Sequence, residues 1–165
     1  MKILLAAVNA KYIHSNLAVY SLKAYAEDPA VEIGEYTINQ QKDDILMDIY
    51  KRKPDILCLS CYIWNLDYIE EIVLEIGKLR PDMPIWLGGP EVSYDAEKFL
   101  AKHPEFRGIM KGEGERTFCE LAGLFGADFF RGKGSLLRAK KSTVPGGTVP
   151  RLRCYACCRA RLRFI

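Results

Sequence analysis

The sequence predicts an α/β fold in which helices cover both faces of a parallel β-sheet. Short apolar runs typical of buried strands alternate with helical periodicity through the first 125 residues. The run at residues 85–87 ends directly in Gly88 and Gly89, which indicates a strand that leads into a flexible corner. With 165 residues, 49% of them hydrophobic, the chain can bury one such core.

Five strands are predicted, at residues 3–8, 31–38, 56–61, 85–87 and 108–110. Right-handed crossovers through the intervening helices make these strands parallel. Five such units fit the flavodoxin-like (Rossmann-like) strand order 2-1-3-4-5, which has its switch point between the first and third strands. The loops after Val8, Cys61 and Leu87 should therefore converge on one crevice at the carboxyl edge of the sheet.

The first two helices are predicted from the residues at their N-termini. Ser15 is of a type that caps helices, and the first helix should follow it. Its shared face consists of Leu17, Tyr20 and Ala24. The acidic pair 43–44 favours the start of the second helix. The apolar residues of this second helix are Ile45, Leu46 and Ile49.

The third helix has the clearest periodicity, with apolar residues at i, i+3, i+4 and i+7. Its apolar face consists of Ile69, Ile72, Val73, Ile76 and Leu79. Gly77 and Pro81 predict its end, and a fourth helix is predicted to begin near Ser93. The stripe of the fifth helix consists of Phe118, Leu121, Ala122 and Phe125.

The charge of the chain changes sharply near Phe125. Residues 1–125 carry 14 basic and 20 acidic side chains, whereas residues 126–165 carry 10 basic and one acidic. The sequence therefore divides into an α/β domain at 1–125 and a basic tail at 126–165. The tail lacks periodicity, which favours a disordered or non-native segment left by a frameshift or truncation of a longer gene. A nucleic-acid arm, with arginines interleaved with Tyr155 and Phe164, is the less favoured alternative.

The cysteines and the hydropathy indicate the compartment. The six cysteines form no spaced disulfide framework, which favours a reducing cytoplasm. Cys58 and Cys61 form a C-x-x-C motif across a strand end rather than at a helix start, so redox or zinc chemistry is disfavoured. No apolar stretch approaches the roughly 20 residues of a membrane span, and residues 1–8 are interpreted as a strand. No membrane partner is therefore predicted.

The loop after the first strand offers groups that can bind a cofactor. Its candidate binding residues are Asn9, Lys11, Tyr12, His14 and Ser15. His14, one of two histidines in the chain, could be a lower axial ligand to a metal-bearing cofactor. The alternative, which residue type alone favours, is that His14 caps the first helix or hydrogen-bonds within the loop.

Three further loops complete the predicted site. Ser60 could donate a hydrogen bond to a ring nitrogen, and Tyr62 and Trp64 offer flat apolar walls unless they simply pack under their loop. The corner after the fourth strand consists of Gly88, Gly89, Pro90 and Glu91. Its glycines are expected to let a planar ligand approach the backbone. Gly112 and Glu113 form a tight acidic turn into the last helix.

Other cofactors are disfavoured by the motifs. The chain has no G-x-x-x-x-G-K-[ST] motif, and no G-x-G-x-x-G motif follows its first strand, which argues against phosphate-loop and dinucleotide sites. A regulatory or interaction domain of the same fold is an alternative, although neither Asn9 nor Ser60 is the aspartate that a phosphoacceptor needs. A flavin-binding domain is a further alternative, although a phosphate loop rich in Ser and Thr is absent after the first strand.

Four segments share the predicted carboxyl edge: NAKYIHSNLA (9–18), CLSCYIWN (58–65), WLGGPEVS (86–93) and KGEGE (111–115). In this order they resemble the N-terminal cobalamin-binding domain of cobalamin-dependent radical SAM proteins. The resemblance implies that the nucleotide tail of cobalamin enters the crevice and that the corrin lies over the carboxyl ends of the strands. It places Ser60, Gly88 and Gly89 along the tail, and Glu113 in the acidic turn that ends the domain.

Two departures from the family pattern limit what the resemblance implies. Tyr12 and Leu17 stand where histidine-ligating domains have the aspartate and glycine of Asp-x-His-x-x-Gly, so cobalt ligation by His14 is not implied. Cys154 and Cys158 have the first spacing of the iron–sulfur motif C-x-x-x-C-x-x-C, but arginine takes the third position. A radical SAM barrel with its iron–sulfur cluster and S-adenosylmethionine is therefore expected only in a full-length parent, and this chain alone is not expected to be catalytic.

Overall fold

The computed structural model describes residues 1–10, 15–131 and 154–156, and the side chains of residues 1–10 and 15–123. Its parallel strands are β1 (Ile3–Asn9), β2 (Val31–Thr37), β3 (Ile56–Ser60), β4 (Ile85–Gly88) and β5 (Gly108–Met110). They lie in the order β2-β1-β3-β4-β5. This order confirms the predicted sheet and its switch point between β1 and β3.

The helices connect the strands and extend beyond the last of them. They are α1 (Leu17–Ala26), α2 (Lys42–Arg52), α3 (Leu66–Leu79), α4 (Pro90–Ser93), α5 (Ala96–Lys102) and α6 (Gly114–Arg131). Within the described residues, none of these helices combines the length and apolarity that crossing a membrane requires.

Each face of the sheet carries its own buried apolar layer, because successive strand residues point to opposite faces. One layer lies under α2, α3 and α5 and receives Leu4, Ala6 and Val8 from β1. The other lies under α1 and α6 and receives Ile3, Leu5 and Ala7. The second layer is called the α1/α6 face below.

The first helix begins one residue later than predicted. Asn16, not Ser15, is its N-cap: the Asn16 backbone is extended, and its side-chain oxygen accepts a hydrogen bond from the Ala18 N–H at 3.1 Å. Ser15 is exposed.

The buried face of α1 also differs from the prediction. Val19 is buried, and Leu22 and Ala26 are partly buried beside it. The three residues of the predicted face are all exposed: Leu17, Tyr20 and Ala24. Because α1 is apolar on more than one side, periodicity alone does not identify the face that packs.

The other helices follow the prediction more closely. Asp43 and Asp44 lie in the first turn of α2, and α3 is buried along the predicted stripe except for its exposed end at Leu79. Gly77 lies inside α3 rather than at its end. The fourth predicted helix is two elements, the short α4 and then α5, rather than one helix from Ser93.

Two features lie beyond the predicted domain boundary at residue 125. The helix α6 continues to Arg131, and a sixth strand, β6 (Cys154–Ala156), pairs antiparallel with β5. The sequence analysis predicted neither feature, since it ended the ordered domain at the change of charge. The rest of the basic tail lies outside the described residues.

Candidate functional site

The carboxyl ends of three neighbouring strands lie side by side at the switch point, where the crevice is predicted. Ala7, Ser60 and Gly88 are register partners across β1, β3 and β4. Ser60 and Gly88 lie on the α1/α6 face, because they alternate with the buried Leu59 and Leu87 of the opposite face. The structure therefore brings together the predicted groups of the second and third loops.

The two glycines of the corner have different roles. Gly89 has a φ of +116°, and a Cβ at this position would lie 2.2 Å from the Cys61 carbonyl oxygen. The Cys61 N–H in turn donates to the Gly88 carbonyl at 2.7 Å. Glycine at 89 is thus required by the protein's own backbone, in addition to the room for a ligand that was predicted at this corner.

Gly88 is not required in this way. A Cβ at Gly88 would meet only Met110 atoms at 3.8 Å and beyond, which is ordinary van der Waals contact. The fold would accept a methyl group at Gly88, on the α1/α6 face beside Ser60.

Asn16 connects the start of α1 to the end of β3. Its Nδ2 donates to Ser60 Oγ at 3.1 Å, and its backbone N–H donates to Glu35 Oε1 at 2.8 Å. Asn16 lies in the first resembling segment, but the sequence analysis did not include it among the site residues. Asparagine is a frequent N-cap, and this property was the available signal.

Glu35 of β2 accepts three hydrogen bonds near the carboxyl end of β1. Besides the Asn16 N–H, it accepts hydrogen bonds from Asn9 Nδ2 at 3.2 Å and from the Tyr20 hydroxyl at 2.7 Å. Burial raises the pKa of Glu35, but the hydrogen bonds from Asn16, Tyr20 and Asn9 together outweigh burial and lower it. The sequence analysis missed Glu35, because a lone glutamate on an edge strand usually faces solvent.

Asn65 fixes the loop between β3 and α3. Its side chain is fully buried, donates to the carbonyls of Val8 at 2.8 Å and Ser60 at 3.0 Å, and accepts from the Tyr62 N–H at 2.8 Å. This one amide ties the ends of β1 and β3 to the loop. It too was missed.

The same loop presents an aromatic pair at the carboxyl edge. The Tyr62 and Trp64 rings stack with centroids 4.6 Å apart and planes 7° from parallel. Trp64 is half exposed and Tyr62 is partly buried, so one ring of the pair faces solvent. Leu17, Ile63 and Tyr94, which follow the ends of β1, β3 and β4, are also exposed. Exposed apolar side chains therefore follow the carboxyl ends of all three strands.

The remaining predicted residues are more scattered. Pro90 occupies the first position of α4, and Glu91 is exposed beside it. Gly112, with a φ of +80°, and Glu113 are exposed in the turn before α6. The predicted site residues Lys11, Tyr12 and His14 lie outside the described residues, and with them the predicted cobalt ligand.

The thiols of the C-x-x-C motif are buried. Burial raises the pKa of Cys58 to about 12, and it raises the pKa of Cys61 as well. Both therefore stay protonated near neutral pH, as poor metal ligands do. In the described part of the chain, no group of three His, Cys, Asp or Glu side chains could hold a metal ion.

Comparisons with known proteins agree with this architecture. The family model of the B12 binding domain matches residues 3–122. The 2-(S-pantetheinyl)-carbapenam-3-carboxylate methyltransferase of Streptantibioticus cattleyicolor is 33% identical over 141 residues, which cover 79% of this chain and 20% of the relative. The cobalamin-dependent radical SAM methyltransferase TokK of Streptomyces tokunonensis is 36% identical over 69 residues, 42% of this chain and 10% of the relative.

A solved structure shares the fold. The cobalamin-dependent S-adenosylmethionine radical enzyme OxsB superposes with a TM-score of 0.60 at 19% identity, over 77% of this chain and 19% of that one. The chain thus spans a fifth or less of the length of each of these three proteins.

Proposed function

The chain belongs to the B12-binding-domain family, and we propose that its crevice holds cobalamin as the cofactor-binding module of a radical SAM methyltransferase. The nucleotide tail would enter along the α1/α6 face, between Ser60 and Gly88. The corrin would lie over the carboxyl edge of the sheet.

The observation that carries this proposal is that neither the backbone nor the packing around it requires glycine at position 88. A side chain there would fill the space beside Ser60. Ser60 is the register partner of Gly88, and its hydroxyl lies at the edge of the buried apolar layer of the α1/α6 face. An apolar slot with one or two polar groups fits the flat ring and polar linkage of the cobalamin tail.

The apolar edge fits the other part of the cofactor. A corrin is a broad, flat macrocycle, and the stacked pair Tyr62 and Trp64 offers an exposed flat surface beside the crevice. The full set proposed to contact cobalamin is Asn9, Lys11, Tyr12, His14, Ser15, Ser60, Tyr62, Trp64, Gly88, Gly89, Pro90, Glu91, Gly112 and Glu113. When bound, cobalamin supplies a cobalt centre that can carry a methyl group.

The chemistry that follows binding is assigned to a longer parent protein. The similar methyltransferase is about five times the length aligned here, since the alignment covers 20% of it. We assign the iron–sulfur cluster and S-adenosylmethionine to a barrel in that parent. The role of this chain is then to bind and orient cobalamin.

A spectroscopic titration tests the proposal. The purified chain is mixed with hydroxocobalamin and, separately, with methylcobalamin, and the visible spectrum is followed before and after gel filtration. Binding predicts that corrin absorbance elutes with the protein at micromolar concentrations. Elution of all corrin in the small-molecule fraction would contradict the proposal.

A further inference from the structure

The hydrogen bond between Asn16 and Ser60 has a defined direction. The Asn16 amide has an oxygen that only accepts and a nitrogen that only donates. Its Oδ1 accepts from the Ala18 N–H at 3.1 Å, as the N-cap of α1 requires. Its Nδ2 must then be the end that meets Ser60, at 3.1 Å from Oγ.

The rest of the contact network holds this orientation. The Asn16 backbone N–H donates to Glu35 Oε1 at 2.8 Å, which fixes the residue before the helix begins. Ser60 is fixed from the other side, because its carbonyl accepts from the buried Asn65 amide at 3.0 Å. Both partners are therefore held by contacts other than the one they share.

This direction leaves the proton of Ser60 available. A serine hydroxyl carries one proton and accepts through its lone pairs. Since Asn16 donates to Ser60 Oγ, the Ser60 proton points away from Asn16. Ser60 can therefore donate that proton to a ligand that approaches along the α1/α6 face.

We infer that Asn16 is a positioning residue that commits Ser60 to donate a hydrogen bond to the inserted tail of cobalamin. The inference rests on the proposed function and adds to it a basis for selectivity. The tail offers acceptors, a ring nitrogen and phosphate oxygens, whereas cobinamide carries the corrin without the nucleotide tail. Asn16 therefore favours corrinoids with an acceptor-bearing tail over those without one.

The test reverses the hydrogen bond while keeping the helix cap. In Asn16→Asp, one carboxylate oxygen still accepts from the Ala18 N–H, but the other also accepts, so Ser60 would donate to residue 16 instead of the ligand. We expect hydroxocobalamin to bind about tenfold more weakly, the size of one lost hydrogen bond. Cobinamide affinity should not change. The matched control is Asn39→Asp, the same substitution at an exposed turn position.

A double-mutant cycle separates direction from charge. Ser60→Ala removes the donor, so Asn16→Asp should cost nothing further in the Ser60→Ala background. An equal loss in both backgrounds would indicate simple repulsion of the phosphate and would overturn the inference. Asn16→Ser, whose hydroxyl caps the helix but is too short to reach Ser60, is a second variant should Asn16→Asp fail to fold. It should weaken cobalamin binding severalfold, and only when Ser60 is present.

Two outcomes distinguish the failure of this inference from the failure of the proposed function. If the unmodified chain binds no hydroxocobalamin, the proposed function is wrong, and this inference with it. If the unmodified chain binds, but Asn16→Asp binds like Asn39→Asp, the role of Asn16 is wrong while the cobalamin site stands.

Discussion

At the scale of single residues, substitutions at the two glycines of the corner should distinguish an effect on folding from an effect on cobalamin binding. Gly89 has a positive φ and approaches the Cys61 carbonyl closely, whereas Gly88 has only ordinary contact distances around it. A loss of binding on substitution at Gly89 would therefore report a damaged fold, and only Gly88 can report on the crevice.

We predict that Gly89→Ala lowers the free energy of unfolding by about 2 to 4 kcal/mol, because the new Cβ meets backbone in a disfavoured conformation. Gly88→Ala should change it by about 1 kcal/mol or less. Urea denaturation followed by circular dichroism measures both. Equal stability of the two variants would refute the distinction.

His14 tests whether the protein ligates cobalt. Tyr12 and Leu17 break the histidine-ligand motif, so we expect His14→Ala to leave the visible spectrum and the affinity of bound hydroxocobalamin nearly unchanged. Gly88→Val, in contrast, should abolish binding. A large spectral shift in His14→Ala, with Gly88→Val still binding normally, would show that coordination rather than the crevice carries the affinity.

Several residues of the proposed site could be predicted from residue type and position, but the hydrogen bonds between them could not. Ser60 and Gly88 follow apolar runs, and topology alone places them at one edge. Asn16, Glu35 and Asn65 were missed because their roles depend on partners far away in sequence, such as Ser60 for Asn16. The spacing of residues along the chain does not predict hydrogen bonds between residues so far apart in sequence.

At the scale of elements, α1 contributes few buried residues to the apolar layer and makes several polar contacts with its neighbours. It buries Val19 alone, whereas α3 buries four residues. Hydrogen bonds join its N-cap, Asn16, to Glu35 of β2 and Ser60 of β3, and Ser21 donates to Glu115 of α6 at 2.9 Å. The attachment of α1 should therefore depend on the charge of Glu35.

This dependence has a defined sign. The pKa of Glu35 is lowered in the folded protein, so its contribution to stability is complete above the unfolded pKa and is lost as the pH falls through the folded pKa. Glu35→Gln should reduce the free energy of unfolding at pH 7, and the difference from the unmodified chain should shrink toward about pH 3. Urea denaturation at several pH values measures this. A difference that stays constant with pH would argue against the role of the carboxylate.

The difference between α1 and the other helices also explains which buried faces could be predicted from the sequence. In α2 and α3 the acidic and basic residues lie mainly away from one apolar stripe, so that stripe follows from periodicity. Met47, Tyr50 and Leu74 are exposed outside it. In α1, the aromatic residues Tyr20 and Tyr25 are exposed. The Tyr20 hydroxyl donates a hydrogen bond to Glu35. A tyrosine that serves a polar contact looks like a core residue in sequence.

At the scale of the whole molecule, the residues proposed to contact cobalamin follow the carboxyl ends of neighbouring strands. The switch point places the ends of β1, β3 and β4 side by side, and the exposed apolar residues Trp64 and Tyr94 follow two of these strands. We therefore place the proposed cobalamin site at this edge of the sheet.

The most direct test of the account compares one added side chain at two glycines. Gly88→Val fills the floor of the crevice, whereas Gly77→Val adds the same atoms to α3, where a Cβ meets nothing within 4 Å. Each variant is mixed with hydroxocobalamin and passed through gel filtration beside the unmodified chain. The account predicts that the unmodified chain and Gly77→Val retain the corrin and that folded Gly88→Val does not. Retention by Gly88→Val equal to that of the unmodified chain would contradict the placement of cobalamin in this crevice.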